Sequence, residues 1–193
     1  FGVAVHPGHY IPTNSTDTRG LDALNELGVS MVREDFSWGR IENSKGSYDF
    51  TYYDNIVKLT SSRNITPIAI LGYGNAHYIN IPQEIIDFNK NTSNRWKHNY
   101  MPSNQIEFDI LKKAYGDYVY TTVLHYKGKI KYFELYNEPY VQSFWYPSPN
   151  AVHFTELLKE GYTRAKQANP NVIIINNGAS SWDLSYLETT YQY

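Results

Sequence analysis

The residues best suited to chemistry in this 193-residue chain stand at the ends of apolar runs. The clearest case is KIKYFELYNEPYVQSFWY, Lys129 to Tyr146, where an alternating run stops at Asn137-Glu138-Pro139 and passes into aromatics. Side chains alternate along a strand, so continued alternation puts Tyr132, Glu134, Tyr136 and Glu138 on one face, with Glu138 outermost. A carboxyl group set among aromatics and near a second carboxylate has its charged form disfavoured. Such a group can hold a proton at working pH and hand it to a departing oxygen. Pro139 withdraws a backbone donor and ends regular pairing. The bland alternative is a solvent-exposed Glu in a turn, and the tripeptide alone favours it.

These residues need elements to position them. Apolar runs predict strands at Gly2–His6, Val29–Asp35, Thr66–Asn75, Lys129–Pro139 and Asn171–Gly178. Helical spacing predicts helices over Thr18–Gly28, Thr51–Asn64, Gln105–Gly128 and Ala151–Asn169, with a last amphipathic fragment over Ser180–Tyr193. Thr51 with Asp54 forms a capping-box pattern, and Val119 to Val123 is a β-prone stretch inside the longest helix. Ala76 to Asn104 is polar and proline-dotted and reads as a long insertion.

Strict strand–helix alternation with apolar strands means an α/β fold with a parallel sheet covered by helices. A doubly wound sheet and a (β/α)8 barrel both fit. GYGNAH, Gly72 to His77, has His77 where a dinucleotide loop needs its third glycine. The barrel is preferred because polar residues collect at successive strand ends: His6; Arg33 and Asp35; Tyr73 and Asn75; Asn137 and Glu138; Asn176 and Asn177. A barrel gathers those ends into one ring at its catalytic mouth. Eight units need about 250 residues, so residues 1–193 are expected to be the N-terminal portion of one barrel domain, carrying about five units. The remainder of the barrel is then an expected partner.

Composition narrows the function classes. A net charge of -2 and a pI near 6.3 give no basic footprint for nucleic acid or an anionic membrane. No apolar run approaches the length of a membrane span. Zero cysteines exclude disulfides and thiolate chemistry. The chain opens on Phe1 and carries sequons at Asn14, Asn64 and Asn91, from which a secreted, extracellular location is the expectation. Nineteen Tyr and four Trp suit a cleft that stacks aromatic faces on sugar rings, although Tyr also fills strands and helices.

FELYNEP, VREDFSWGRIENSKGSYDF (Val32 to Phe50) and PIAILGYGN (Pro67 to Asn75) together resemble clan A glycoside hydrolases. Within the clan the chain looks most like family 39 and its family 5-like relatives, over nearly its whole length. The resemblance implies a retaining glycosidase that cleaves a polysaccharide or glycoside. Glu138 matches the clan's acid/base, and Asn137 the amide that holds the sugar 2-hydroxyl. Arg33 matches the arginine that steadies the nucleophile; a structural pair with Glu134 is the other role open to it. The nucleophile itself, a Glu on the seventh strand, matches no position here. A catalytically silent carbohydrate-binding or structural protein on the same scaffold is the alternative.

Weaker candidates for binding substrate are His6, Asp35, Tyr73, Asn75, His77, Trp145 and Asn177. Trp96 is a further candidate platform, and Trp38 a support beneath the rim. His6-Pro7-Gly8-His9 reads as a turn, with no helix to hold two rings on a metal, so neither metal nor cofactor is expected.

Overall fold

The computed structural model describes residues 2–4, 18–88, 99–176 and 184–192. The strands are β1 (Gly2–Val3), β2 (Met31–Ser37), β3 (Thr66–Gly72), β4 (Tyr132–Leu135) and β5 (Ile173–Ile175). The helices are α1 (Arg19–Glu26), a single turn α2 (Trp38–Ile41), α3 (Thr51–Ser61), α4 (Gln83–Phe88), α5 (Gln105–His125), α6 (Ala151–Ala168) and α7 (Leu184–Gln192). A 3-10 turn, Ala76–Tyr78, follows β3.

All strand pairs are parallel, and the sheet order is β1-β2-β3-β4-β5. Chain order thus equals sheet order, as in a barrel that winds one way; a doubly wound sheet reverses at a switch point. Register sets Asp35 beside Ile70, Ile70 beside Glu134, and Glu134 beside Ile175.

One face of this sheet packs on helices. Phe36, Ala69, Leu71, Phe133 and Leu135 join Tyr53, Ile56, Phe108, Tyr115, Tyr118, Phe154 and Leu157 in a continuous core. Helix α5 supplies its centre, and Val119, Thr122 and Val123 are buried there. Their β-propensity does not fray the helix, because burial outweighs a weak local preference. Tyr115 donates from its hydroxyl to the Leu71 carbonyl at 2.8 Å, and Tyr118 to that of Phe36. These two tyrosines therefore serve the core, each burying its ring while its hydroxyl finds a strand carbonyl.

Caps mark the helix starts. The Asn104 side chain accepts from the Ile106 and Glu107 amides, and Asn150 from that of His153. At α3 the expected Thr51 cap is displaced. Phe50 is the N-cap residue, and Asp49 Oδ1 accepts from the Thr51 amide at 2.9 Å. The stretch read as an insertion contains α4, and past it Tyr100 bridges Tyr146.

Candidate active site

The other face of the sheet carries Arg33, Asp35 and Glu134. On β2, Val32 and Phe36 are buried, while the alternating Arg33 and Asp35 lie on the opposite side and are half-exposed. On β4, Phe133 and Leu135 enter the helix-side core, and Glu134 meets Arg33. Arg33 Nε donates to Glu134 Oε2 at 2.7 Å and Nη2 to Oε1 at 2.6 Å, a two-pronged fork. Nη2 also donates to Asn137 Oδ1 at 2.7 Å. The Glu134 hydrogen bonds hold the Arg33 guanidinium above its ordinary pKa, against the opposing pull of burial. A guanidinium only donates, so the Asn137 atom facing it must be the oxygen. The amide N–H groups are thereby reserved for another acceptor.

The exit from β4 corrects the expected alternation. Tyr136 and Glu138 have φ of 67° and 46°, left-handed backbone that costs an L-residue about 1–2 kcal/mol. Surrounding contacts hold the turn in place. The Tyr136 ring is fully buried against Tyr73, Trp145 and Phe154, its amide donates to the Leu71 carbonyl, and its hydroxyl donates to the Phe144 carbonyl at 2.6 Å. Tyr136 therefore joins the helix-side core instead of sharing a face with Glu134, and Asn137 takes the place above the Arg33 fork.

Glu138 follows, half-exposed, with its Oε1 3.5 Å from the Tyr140 hydroxyl. Its carbonyl accepts from the Val141 amide at 2.9 Å, and the Val141 carbonyl accepts from those of Phe144 and Trp145. These successive turns fold the following loop back over the strand end.

Tyr73 lies just past β3, and its hydroxyl donates to Asp35 Oδ1 at 3.3 Å. Three expectations for substrate contact change. Trp145 is 1% exposed, with its ring packed on Tyr136, Phe154 and Phe108, so it is core and offers no sugar platform. Its neighbour Phe144 is the half-exposed ring instead, stacked on Tyr73 with centroids 5.4 Å apart. Asn75 is 1% exposed, and its amide is spent on the Glu42 carbonyl and the His77 amide. His77 is exposed, with Nε2 2.7 Å from the Asn43 carbonyl, so its ring ties two loops together. His6, Asn177 and Trp96 lie outside the described residues.

Sequence reasoning gave Glu42 no task beyond its place in a motif. It is fully buried and accepts from Trp38 Nε1 at 2.6 Å, the Gly46 amide at 2.6 Å and the Tyr78 hydroxyl at 2.5 Å. With Asn75 on its carbonyl, it clamps the loop after β2 to the loop after β3 at the rim. The signal available beforehand was spacing: Trp38 and Glu42 are one helical turn apart. A concavity of about 420 Å³ lined by Lys127, Lys129, Lys131 and Asn171 sits at the opposite, N-terminal end of β4 and β5, away from this cluster.

A parallel sheet in strict chain order with polar residues at the C-terminal ends of its strands is the arrangement found along one side of a (β/α)8 barrel. Comparison narrows the class: residues 10–172 match glycoside hydrolase family 42, described as beta-galactosidase, and the chain belongs to that family. Over 65 residues it is 32% identical to the beta-galactosidase BgaA of Clostridium cellulovorans, a stretch covering 33% of this chain and 10% of the relative. A family 39 glycoside hydrolase from Bacteroides cellulosilyticus superposes with a TM-score of 0.66 at 21% identity, covering 97% of this chain and 34% of that structure. Xylanase B from Clostridium stercorarium superposes with a TM-score of 0.62 at 16% identity, covering 99% and 55%. The clan expected from the motifs stands, and the matching family is 42. The chain spans about a tenth of the curated relative and a third to a half of these structures.

Proposed function

We propose that the whole protein is a retaining glycosidase acting on β-galactosides or related glycosides, with Glu138 as its acid/base. The observation that carries this reading is the Arg33 fork, which holds Glu134 and turns the Asn137 oxygen inward beside Glu138. Glu138 protonates the glycosidic oxygen as the bond to the anomeric carbon breaks. A second carboxylate, from residues outside this chain, attacks that carbon and forms a glycosyl–enzyme. Glu138, now deprotonated, takes a proton from water, which displaces the carboxylate. Asn137 donates its amide to the sugar 2-hydroxyl, a contact that strengthens as the ring becomes oxocarbenium-like.

Glu134 is not a substitute for the second carboxylate, because it lies within β4 and is 3% exposed, below the strand end that carries Glu138. Among the described residues β5 pairs only with β4, which leaves an edge on which the rest of a barrel can continue. Action on an extracellular polysaccharide fits the aromatic-rich composition and the sequons.

The test is Glu138→Gln in the whole protein. Hydrolysis of a glycoside with a poor leaving group is expected to fall about 10²–10⁴-fold. Cleavage of the bond to an activated aryl leaving group, which departs unprotonated, is expected to fall far less. An unchanged rate on the poor leaving group removes Glu138 from the mechanism.

A further inference from the structure

The loop that leaves Glu138 is fastened along its length. The Phe144 and Trp145 amides donate to the Val141 carbonyl at 2.9 and 3.0 Å, and the Phe144 carbonyl accepts from the Tyr136 hydroxyl at 2.6 Å. The Asn99 side-chain amide donates to the Ser143 carbonyl at 2.6 Å, and the Tyr146 amide donates to the Asn99 carbonyl at 2.8 Å. The Gln142 side-chain amide closes the loop on the Pro147 carbonyl at 2.8 Å.

This fixed backbone sends its two large side chains different ways. Trp145 goes inward and is 1% exposed, while Phe144 stays half-exposed. The Tyr73 ring covers one face of Phe144, 13° from parallel with centroids 5.4 Å apart. Tyr73 is itself held, edge-on to Tyr136 at 5.5 Å and with its hydroxyl donating to Asp35 Oδ1 at 3.3 Å. Phe144 therefore keeps an apolar surface turned away from Tyr73, with no hydroxyl or N–H to satisfy in water. Such a surface gains only from an apolar cover, and a ring held beforehand loses little freedom when the cover arrives.

The place of the ring says what covers it. In the glycosidase reading Asn137 holds the sugar whose bond breaks, and Glu138 meets the glycosidic oxygen. Phe144 belongs to the loop beyond Glu138 and stands over Tyr73, past the end of β3. We propose that Phe144 is a specificity-determining residue whose ring receives the flat apolar face of a ring-bearing leaving group. That face is an aryl ring or the C–H side of a second sugar, both of which pack on an aromatic. This rests on the glycosidase reading and deepens it by giving the leaving-group side of the same site its selectivity.

The experiment compares Phe144→Ala and Phe144→Tyr with the parent in the whole protein. The substrates are β-D-galactopyranosides and β-D-xylopyranosides of three leaving groups: phenol, ethanol and the 4-hydroxyl of a second sugar. For Phe144→Ala, kcat/KM is expected to fall about tenfold on the phenyl glycosides, the disaccharides or both, and about twofold or less on the ethyl glycosides. Phe144→Tyr keeps the ring and is expected to stay within about twofold of the parent throughout. A loss confined to the phenyl glycosides assigns the surface to aryl groups, and one confined to the disaccharides assigns it to a sugar. Equal losses on all three leaving groups, or none on any, overturn the proposal, since a merely structural role does not distinguish leaving groups. A tyrosine variant as impaired as the alanine variant overturns it too. Failure of the parent to cleave any of these substrates overturns the glycosidase reading and this proposal with it.

Discussion

At the scale of single residues, Arg33 is the centre of the site. It joins β2 to β4 through Glu134, which is 3% exposed, and it determines which end of Asn137 faces the mouth. Arg33→Met removes the guanidinium from a buried carboxylate and is expected to cost about 2–4 kcal/mol in urea denaturation, discounted for the partial exposure of the arginine. Arg33→Lys keeps the charge but loses the planar fork that meets both Glu134 oxygens at once. Its kcat/KM is expected to fall about tenfold or more, with a smaller loss of stability. A lysine variant with parental activity contradicts the role given to the fork. The Arg33–Glu134 pair was legible in the sequence, because both residues fall on alternating positions of recognisable strands. Tyr136 and Trp145 were not, because their placement follows from left-handed backbone and loop packing, which have no period to read.

At the scale of elements, α5 and α6 hold the strand ends from behind. Between them His153 stacks on Phe108 at 4.1 Å and is 7% exposed. Burial lowers its pKa below the ordinary 6.5; Lys112 acts in the same direction, while Glu156 and Asp109 oppose both. The folded protein therefore keeps this imidazole neutral where the unfolded chain protonates it. Its contribution is fully favourable above pH 6.5 and is lost as pH falls through the folded value. The urea midpoint is expected to drop as pH falls below 6.5, and His153→Gln is expected to flatten that drop. A slope unchanged by the substitution contradicts this assignment. Asn104→Ala removes an acceptor for two amides at the start of α5 and is expected to cost about 1 kcal/mol in the same assay. Strand and helix order was legible from periodicity, but cap positions were only partly so. At α3 the side-chain acceptor is Asp49, two residues before the expected Thr51, since the bond depends on local backbone geometry.

At the scale of the whole molecule, a parallel sheet in strict chain order brings β2, β3 and β4 side by side, and with them Arg33, Asp35, Tyr73, Asn137 and Glu138. Sequence supported this architecture because apolar strands and polar strand ends are a consequence of gathering side chains at one mouth. It could not place the second carboxylate of a retaining pair, which no strand among the described residues provides in a recognisable position. The most direct measurement of the central claim is a crystal structure of the whole protein with a glycoside in its mouth. The account predicts the Glu138 carboxyl within hydrogen-bonding reach of the glycosidic oxygen and about 5–5.5 Å from a second carboxylate across the anomeric carbon. A separation of about 6.5–9.5 Å contradicts retention, and Glu138 turned into solvent away from the sugar contradicts the account at its root.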